Sequence, residues 1–212
     1  HQDFNAAQVG KHAKNFLWHG LGKTRGILLD TSGHRLDYYP RWQDRLYPDH
    51  PPLPDLALAG MFALFGPHEW VIRLQGHLFA LGCLLLFFFL VRRWYDGRTS
   101  AIATAVLAIV PMFSYFSSVT VHQVPTLFFI LAGLLAYSHR KWGLLVLFQF
   151  LACYSDWPGY YLAVVVFVHL GFVERRWKLA WIFPALNVAI FGIYLLHLYA
   201  ADPEGLAPLR RL

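Results

Sequence analysis

The feature that most constrains this chain is the apolar run VIRLQGHLFALGCLLLFFFLV at residues 71–91. Its length matches the ~20 residues that an α-helix needs to cross ~30 Å of hydrocarbon. Similar runs follow it, and only 14% of the 212 residues are charged, against about 25% in soluble domains. A soluble core can hold one such run, whereas a succession of them indicates a bilayer. The sequence therefore predicts an all-α, polytopic integral membrane protein.

Basic clusters between the apolar runs predict the topology. They are RRWYDGR at 92–98, HRKW at 139–142 and ERRWK at 174–178. Short loops rich in Lys and Arg stay cytoplasmic, and tryptophan is enriched at the membrane interface. We expect about six crossings, at residues 71–91, 100–117, 124–138, 143–155, 158–172 and 179–199. Because the arms on either side of the outer turn at 155–159 are short, one of them is expected to be tilted, re-entrant or partly unwound.

This topology divides the chain into three regions. Residues 1–70 form an extracytoplasmic loop with short interfacial helices, residues 71–199 form the membrane bundle, and residues 200–212 begin the next outer loop. An N-terminal region outside the membrane normally follows a signal peptide or an earlier transmembrane helix. Residues 1–70 contain neither, so we expect a longer protein with at least one helix upstream.

Composition and motifs exclude several classes of function. Cys83 and Cys153 lie in apolar surroundings without metal-ligand spacing, as is typical of buried thiols. The net charge of +6 lies mostly in the cytoplasmic clusters, so it does not indicate nucleic-acid binding. There is no phosphate loop or dinucleotide fingerprint. An enzyme of this sequence would not use a soluble nucleotide-binding fold.

The stretch YPDHPPLPDLALAGMFALFG at residues 47–66 sets a charged, proline-rich corner against a short apolar segment. As a helix, residues 55–65 would be roughly 17 Å long, too short to span a bilayer. We expect this helix to lie along the outer membrane surface. Prolines favour extended backbone before it, and three are present: Pro51, Pro52 and Pro54. The corner would hold Asp49 and His50 at the headgroup level, with Arg73 close by.

At these residues the chain resembles the GT-C membrane glycosyltransferases. DHPPL, LFG and EWVIRL, within residues 49–74, are similar to the first extracytoplasmic loop of glycosyltransferase family 39 and its relatives. That branch includes protein O-mannosyltransferases and the aminoarabinose transferase of lipid A. HQDFNAAQVGKHAKNFLWHG at 1–20 and SDWPGYYLA at 155–163 fit the same pattern. The resemblance covers nearly the whole chain, as the N-terminal part of a longer enzyme.

The resemblance implies an activity. A sugar on a polyprenyl-phosphate carrier, the co-substrate, would pass to a protein, lipid or glycan acceptor on the extracytoplasmic side of the cell (plasma or inner) membrane. The protein would have to deprotonate an acceptor hydroxyl and stabilise the departing lipid phosphate. The expected partners are therefore this donor, the acceptor and membrane lipids, and not nucleic acid.

The resemblance also assigns roles in the first outer loop. Asp3 matches the acid that opens this loop in the family, which implies a catalytic base or an acceptor-orienting group; the alternative is a helix cap. His50 lies where members carry His or Lys, which implies contact with the lipid phosphate or acceptor; a turn histidine is the alternative. Asp49 aligns with an acid that helps to bind a divalent metal in the aminoarabinose branch. Since Asp49 and His50 are adjacent, a further ligand such as His122 would be needed.

Three more residues complete the set of candidates for substrate binding. Arg73 matches the arginine that opens the family's second helix, which implies a phosphate contact; a snorkelling anchor is the alternative. His122 lies in the turn VHQVP, where many relatives carry an acid, so a second carboxylate from this turn is in doubt and a polar turn residue is the alternative. Asp156 is expected at the outer rim, in a Trp-Pro-Gly turn that exposes it, where it could contact substrate.

Two other functions stay open at this point. A transporter or flippase of polyprenyl-linked lipids would show broken helices and polar groups at mid-membrane, whereas the ionisable residues here gather at the outer rim. A non-catalytic membrane subunit is the other alternative, because His122 and Gln123 stand where relatives carry an acid.

Overall fold

The computed structural model describes residues 2–31, 36, 41–119 and 121–202, with side chains from residue 7 onward. Helices dominate, as expected. The α-helices are α1 (Gln2–Thr24), α2 (Leu53–Phe65), α3 (Glu69–Arg92), α4 (Gly97–Ile109), α5 (Pro111–Ser118), α6 (Gln123–Ser138), α7 (Trp142–Cys153), α8 (Tyr161–Val168), α9 (Trp177–Ala180) and α10 (Ile182–Ala201). Two short strands, β1 (Leu28–Leu29) and β2 (Leu46–Tyr47), pair antiparallel. The 3₁₀ turns Trp42–Arg45 and Trp157–Tyr160 and the π-helix His169–Val173 complete the described elements.

Helices α1 and α2 share an apolar core, formed where α1 crosses α2. Val9, Ala13 and Phe16 share one face of α1 because they are spaced by four and three residues. They pack against Leu58 and Phe62 of α2. This core fixes the side chains of α1 and α2 relative to each other, and with them the polar groups that they carry.

The start of α2 corrects one expectation. Pro54 lies within the first turn of the helix rather than before it. The first four N–H groups of a helix have no intrahelical partner, so a proline there removes no bond. The expectation that Pro54 lies in extended backbone before the helix was therefore wrong.

The six expected spans are not confirmed. Within the described residues, two helical segments, Glu69–Arg92 and Trp177–Ala201, are long and apolar enough to cross a membrane. A third span exists if α4 and α5 are counted together, although the pair is bent by 65°. The bend follows from Pro111, which holds Val110 in extended geometry at φ −59° and ψ 123°. The remaining apolar helices, Leu53–Phe65, Gln123–Ser138, Trp142–Cys153 and Trp157–Val173, have 10–17 residues.

The segment after the turn at 155–159 is irregular, in agreement with the expected partly unwound arm. It opens with the 3₁₀ turn Trp157–Tyr160, continues as α8 and ends in the π-helix His169–Val173. The opening turn packs directly against α7. The contact is so close that a Cβ added to Gly159 would lie 2.2 Å from the carbonyl of Ala152. This close approach places Asp156 beside the proline-rich corner.

The proline-rich corner at residues 47–54 is fixed to the bundle through its backbone. Four hydrogen bonds from different helices and turns hold it: Tyr194 Oη to Pro48 O at 2.6 Å, Trp157 Nε1 to Asp49 O at 2.6 Å, Gln75 Nε2 to Pro54 O at 2.8 Å and Leu53 N to Tyr154 O at 3.1 Å. The prolines limit the backbone angles, and the surrounding donors then set its position. The corner is thus rigid and joins α2 to α3, α7 and α10.

Candidate functional site

The centre of the site is Asp55, in the first turn of α2, whose side chain is fully buried. Its Oδ2 lies 2.7 Å from His122 Nε2 and its Oδ1 lies 3.3 Å from His12 Nδ1. The contact with His12 is electrostatic, because neither atom has hydrogen-bond geometry. Burial raises the pKa of Asp55, but the charge of His122 and contacts from both histidines outweigh it, so the pKa lies below its ordinary value. Asp55 is therefore held as a carboxylate.

His122 immediately precedes α6 and is 8% exposed. Burial lowers the pKa of its imidazole, yet the Asp55 carboxylate, with a smaller contribution from Asp156, raises it above the ordinary value. The side chain predicted to be a polar turn residue or a substrate contact is thus half of a buried ion pair. This pairing also explains how a histidine is accommodated there at low exposure.

His50 and Asp156 form a second imidazole–carboxylate pair. His50 Nδ1 lies 2.9 Å from Asp156 Oδ1, and the same oxygen accepts the backbone N–H of Trp157 at 2.8 Å. Asp156 is 2% exposed, so the expectation that its turn exposes it was wrong. Its Oδ1 faces His50 and the backbone N–H of Trp157 instead of solvent, in a turn whose Gly159 packs against the backbone of Ala152 in α7. His50 also contacts a side chain rather than the backbone of its own turn.

The two pairs lie side by side. The rings of His50 and His122 are stacked, with centroids 4.6 Å apart and planes 9° apart. Tyr47 continues the group, 6.1 Å from the His50 ring and 5.2 Å from the His12 ring. Burial and the charge of Asp49 raise the pKa of Tyr47, so its hydroxyl stays protonated. Two carboxylates, of Asp55 and Asp156, and three imidazoles, of His12, His50 and His122, thus lie together where α1 and α2 meet the start of α6.

A small cavity of about 100 Å³ opens onto this group. Its lining residues come from α1, the proline-rich corner, α5 and the turn before α6: Gln8, Val9, His12, Tyr47, His50, Phe116, Val121, His122 and Gln123. Each of the stacked histidines uses one ring nitrogen for its carboxylate. No described residue hydrogen-bonds the opposite nitrogen, which leaves it for a ligand. The cavity therefore offers imidazole and amide donors, which suit an anion or a hydroxyl group.

The described contacts do not test the roles predicted for Asp3, Arg73 and Asp49. Asp3 lies in the first turn of α1, and its side chain is outside the described residues. Arg73 donates from Nε and Nη2 to Glu69 Oε1 at 3.1 and 2.5 Å, in an exposed ion pair on α3. Asp49 has an exposed side chain. The base role of Asp3, the phosphate contact of Arg73 and the metal role of Asp49 therefore stay predictions.

The described side chains do not provide a metal site. No group of three or more His, Cys, Asp or Glu residues is arranged to hold an ion within the described ranges. The nitrogens of His12 and His122 face the oxygens of Asp55 directly, at 3.3 and 2.7 Å, which leaves no space for an ion between them. Asp49 as a metal ligand stays a prediction.

Sequence reasoning missed Asp55, His12 and Tyr47. A signal existed for Asp55, since an ionisable residue at the head of the run LALAGMFALF is costly in apolar surroundings unless it is paired. His12 gave none, because it lies in the charged sequence KHAKN, which is typical of a solvated helix face. Only the packing of α1 on α2 buries it.

The family model described as dolichyl-phosphate-mannose-protein mannosyltransferase matches residues 49–199. The chain belongs to this family. His50, Asp55, His122 and Asp156 all lie within the matched range, whereas His12 precedes it. Family membership confirms the GT-C resemblance that the sequence motifs suggested.

Two crystal structures have the same fold. ArnT from Cupriavidus metallidurans in the apo state superposes with a TM-score of 0.68 at 17% identity, and the same protein bound to undecaprenyl phosphate with 0.65 at 20%. Each match covers 94% of this chain and 38% of that chain, so this chain spans less than half the length of ArnT. Comparison with curated protein sequences gave no match. The chain therefore shares the fold of these two structures.

Proposed function

We propose that this chain forms the N-terminal part of a glycosyltransferase that moves a sugar from a polyprenyl-phosphate donor to an acceptor. Membership of the mannosyltransferase family supports the reaction class. The related fold of ArnT, crystallised with undecaprenyl phosphate, supports the lipid carrier. The observation that carries the proposal is the stacked pair of His50 and His122, each bound to a buried carboxylate and each lining the same cavity.

The chemistry required of the protein follows from the bonds that change. An acceptor oxygen attacks the anomeric carbon of the sugar, loses its proton, and displaces the lipid phosphate, which leaves with the electrons of the broken C–O bond. Charge therefore develops on the phosphate oxygens, where fixed donors stabilise the transition state. His50 and His122 would supply such donors from their outer ring nitrogens. Asp156 and Asp55 fix the orientation of the two rings, and the Asp55 carboxylate favours the charged form of the His122 imidazole.

Asp3 is the proposed base for the acceptor hydroxyl. It lies on α1, the helix that also contributes Gln8 and His12 to the cavity. Gln8 follows Asp3 by five positions, or roughly 7.5 Å along the helix axis. The role of Asp3 is supported by its resemblance to the acid that opens this loop in the family.

Arg73 remains a proposed phosphate contact, with one condition set by its surroundings. Its guanidinium already binds Glu69, and both side chains are exposed. Exposed pairs of this kind contribute little free energy, so a lipid phosphate could displace Glu69 at small cost. The active site and residues 1–70 are proposed to lie on the extracytoplasmic side, with the basic clusters in the cytoplasm.

One observation favours a second function, a transporter or flippase for the same lipid. Helix α4 breaks at Val110 and bends by 65° into α5, and broken helices are common at transporter sites. The ionisable pairs, however, gather where α1 and α2 meet the start of α6. A lipid-translocation assay would separate this alternative from sugar transfer.

The proposed function is tested with the full-length protein in membrane vesicles. The measurement is transfer of labelled sugar from a panel of polyprenyl-phosphate sugars to protein, lipid and glycan acceptors. We expect Asp3→Asn and His50→Ala each to lose about 10²-fold in rate, and His139→Ala, an exposed histidine at the far end of α6, to match wild type. If wild type transfers nothing from any donor, the proposed function is wrong. Wild-type rates in both variants would instead refute the site and leave the function standing.

A further inference from the structure

A second polar cluster lies at the opposite end of α6 from His122. Arg140 donates two hydrogen bonds to Glu174, from Nη2 to Oε1 at 2.6 Å and from Nη1 to Oε2 at 3.0 Å. The Tyr137 hydroxyl lies 2.7 Å from His169 Nδ1 and donates to Glu174 Oε1 at 3.2 Å. These contacts join the end of α6 to the π-helix after α8.

The backbone around this cluster is irregular. Arg140 has φ 58° in the turn that ends α6, where Lys141 N donates to Ala136 O at 2.9 Å. Glycine is the usual residue at this position, and a left-handed arginine is uncommon. The π-helix His169–Val173 follows α8, and such turns are frequent at functional sites. In this irregular backbone Arg140 and His169 both lie against the carboxylate of Glu174.

The cluster frames a cavity of about 500 Å³, within the range of about 300–1,000 Å³ found for ligand sites. Its walls include the apolar side chains of Leu90, Leu134 and Val165. Its polar groups are Arg93, Ser138, Tyr137, Arg140, His169 and Glu174, with Trp94 beside them. The cavity is therefore amphipathic, with an apolar wall and a polar rim.

The charges of the rim favour an anionic ligand. Arg140 is already paired with Glu174, and Arg176 lies 3.9 Å from the same carboxylate. Arg93 has no ion pair with any residue in the described ranges, although it lines the same cavity. Arg93 thus adds a positive charge beside an apolar wall, and Trp94, 65% exposed, is of the type that anchors at a membrane interface.

We propose that this cavity binds an anionic membrane phospholipid, with its phosphate on Arg93 and an acyl chain along Leu90, Leu134 and Val165. Residues from three basic clusters, 92–98, 139–142 and 174–178, line the same cavity. Lys and Arg cluster on the cytoplasmic side, where anionic lipids concentrate. A free phosphate would use the rim but not the apolar wall. The site lies at the other end of α3 and α6 from the His–Asp group and does not depend on the proposed transferase activity.

The test measures stabilisation by lipid. The full-length protein in zwitterionic detergent with phosphatidylcholine is titrated with phosphatidylglycerol, and the midpoint of thermal unfolding is followed. Binding to the folded state raises this midpoint with ligand concentration. We expect Arg93→Gln to need about fivefold more phosphatidylglycerol for the same rise, since one basic residue near a lipid surface contributes about that factor. Arg98→Gln is the matched control, because Arg98 is exposed at the same end but does not line the cavity.

A second variant tests the apolar wall. Val165 is 53% exposed, so Val165→Trp fills the cavity from outside the core and should abolish the lipid-dependent rise. Equal loss in Arg93→Gln and Arg98→Gln would show general surface charge and overturn the proposal. A rise produced by inorganic phosphate alone, or one that survives Val165→Trp, would also overturn it, because neither involves a phospholipid in this cavity.

Discussion

His122 Nε2 lies 2.7 Å from Asp55 Oδ2, across 67 residues of sequence. The bond connects the start of α6 to the start of α2, and the second oxygen of Asp55 faces His12 on α1. One buried carboxylate therefore joins α1 and α2 to the start of α6. The same carboxylate fixes one of the two rings that line the proposed donor site.

We expect Asp55→Asn to destabilise the protein by about 3–5 kcal/mol, because removing one member of a buried pair leaves the other charge without compensation. His122 would be left in this state, and His12, which is 1% exposed, would lose its contact with the carboxylate. The midpoint of thermal unfolding in detergent measures the effect. Glu69→Gln is the control, since it breaks an exposed pair with Arg73 and should change the midpoint little. Similar midpoints for the two variants would contradict the role of Asp55.

The same pair predicts how stability depends on pH. His122 has a raised pKa, so its contribution is complete below the ordinary value of 6.5 and is lost as pH rises through the folded-state pKa. Asp55 has a lowered pKa, so its contribution is present above the ordinary value of 3.8 and is lost as pH falls through the folded-state pKa. The pair stabilises the fold between these limits.

The measurement is the difference in unfolding midpoint between wild type and His122→Gln as a function of pH. We expect the difference to be largest near pH 5–6 and to shrink toward alkaline pH, as His122 loses its proton. His12, His50, Tyr47 and Asp156 surround the pair and are present in both proteins, so their titration cancels to first order. A difference that stays constant into alkaline pH would show that His122 is not charged in the fold.

Much of the fold followed from patterns in the sequence. The run at 71–91 became α3, and the run at 179–199 became most of the segment Trp177–Ala201, because uninterrupted apolar runs of this length allow one helix. The helix predicted at 100–117 failed at Pro111, where the proline acts on the residue before it. Mean hydropathy does not depend on backbone geometry, so it gives no sign of the bend at Pro111.

The site was less accessible to sequence reasoning. His50, His122 and Asp156 were identified as candidates, and the structure does bring them together. Their partners were not assigned, because pairing over 67 and 106 residues depends on helix packing and not on local spacing. The burial of Asp156 and the close contact of Gly159 with α7 have no signature in one sequence.

Tyr194 on α10 provides a test of the proline-rich corner. Its hydroxyl donates to Pro48 O at 2.6 Å, and the side chain is 2% exposed. We expect Tyr194→Phe to destabilise the protein by about 1–3 kcal/mol, since a buried carbonyl loses its partner. Tyr199→Phe is the matched control, because Tyr199 lies on the same helix and is 51% exposed. Equal unfolding midpoints for the two variants would show that the corner does not depend on this bond.

Gly159 provides the sharpest test of how Asp156 is positioned. An added Cβ would lie 2.2 Å from the backbone of Ala152 and 2.6 Å from Cys153 N, contacts that only a shift of the whole turn can relieve. We expect Gly159→Ala to cost about 1–3 kcal/mol or more and to weaken the contact between Asp156 and His50. Gly143→Ala is the control, since a Cβ there meets nothing within 4 Å and alanine favours helix. The readouts are the unfolding midpoint and the nitrogen chemical shifts of His50, which report its bond to Asp156. If Gly159→Ala leaves both unchanged, the turn is not held by its packing against α7, and another contact must bury Asp156.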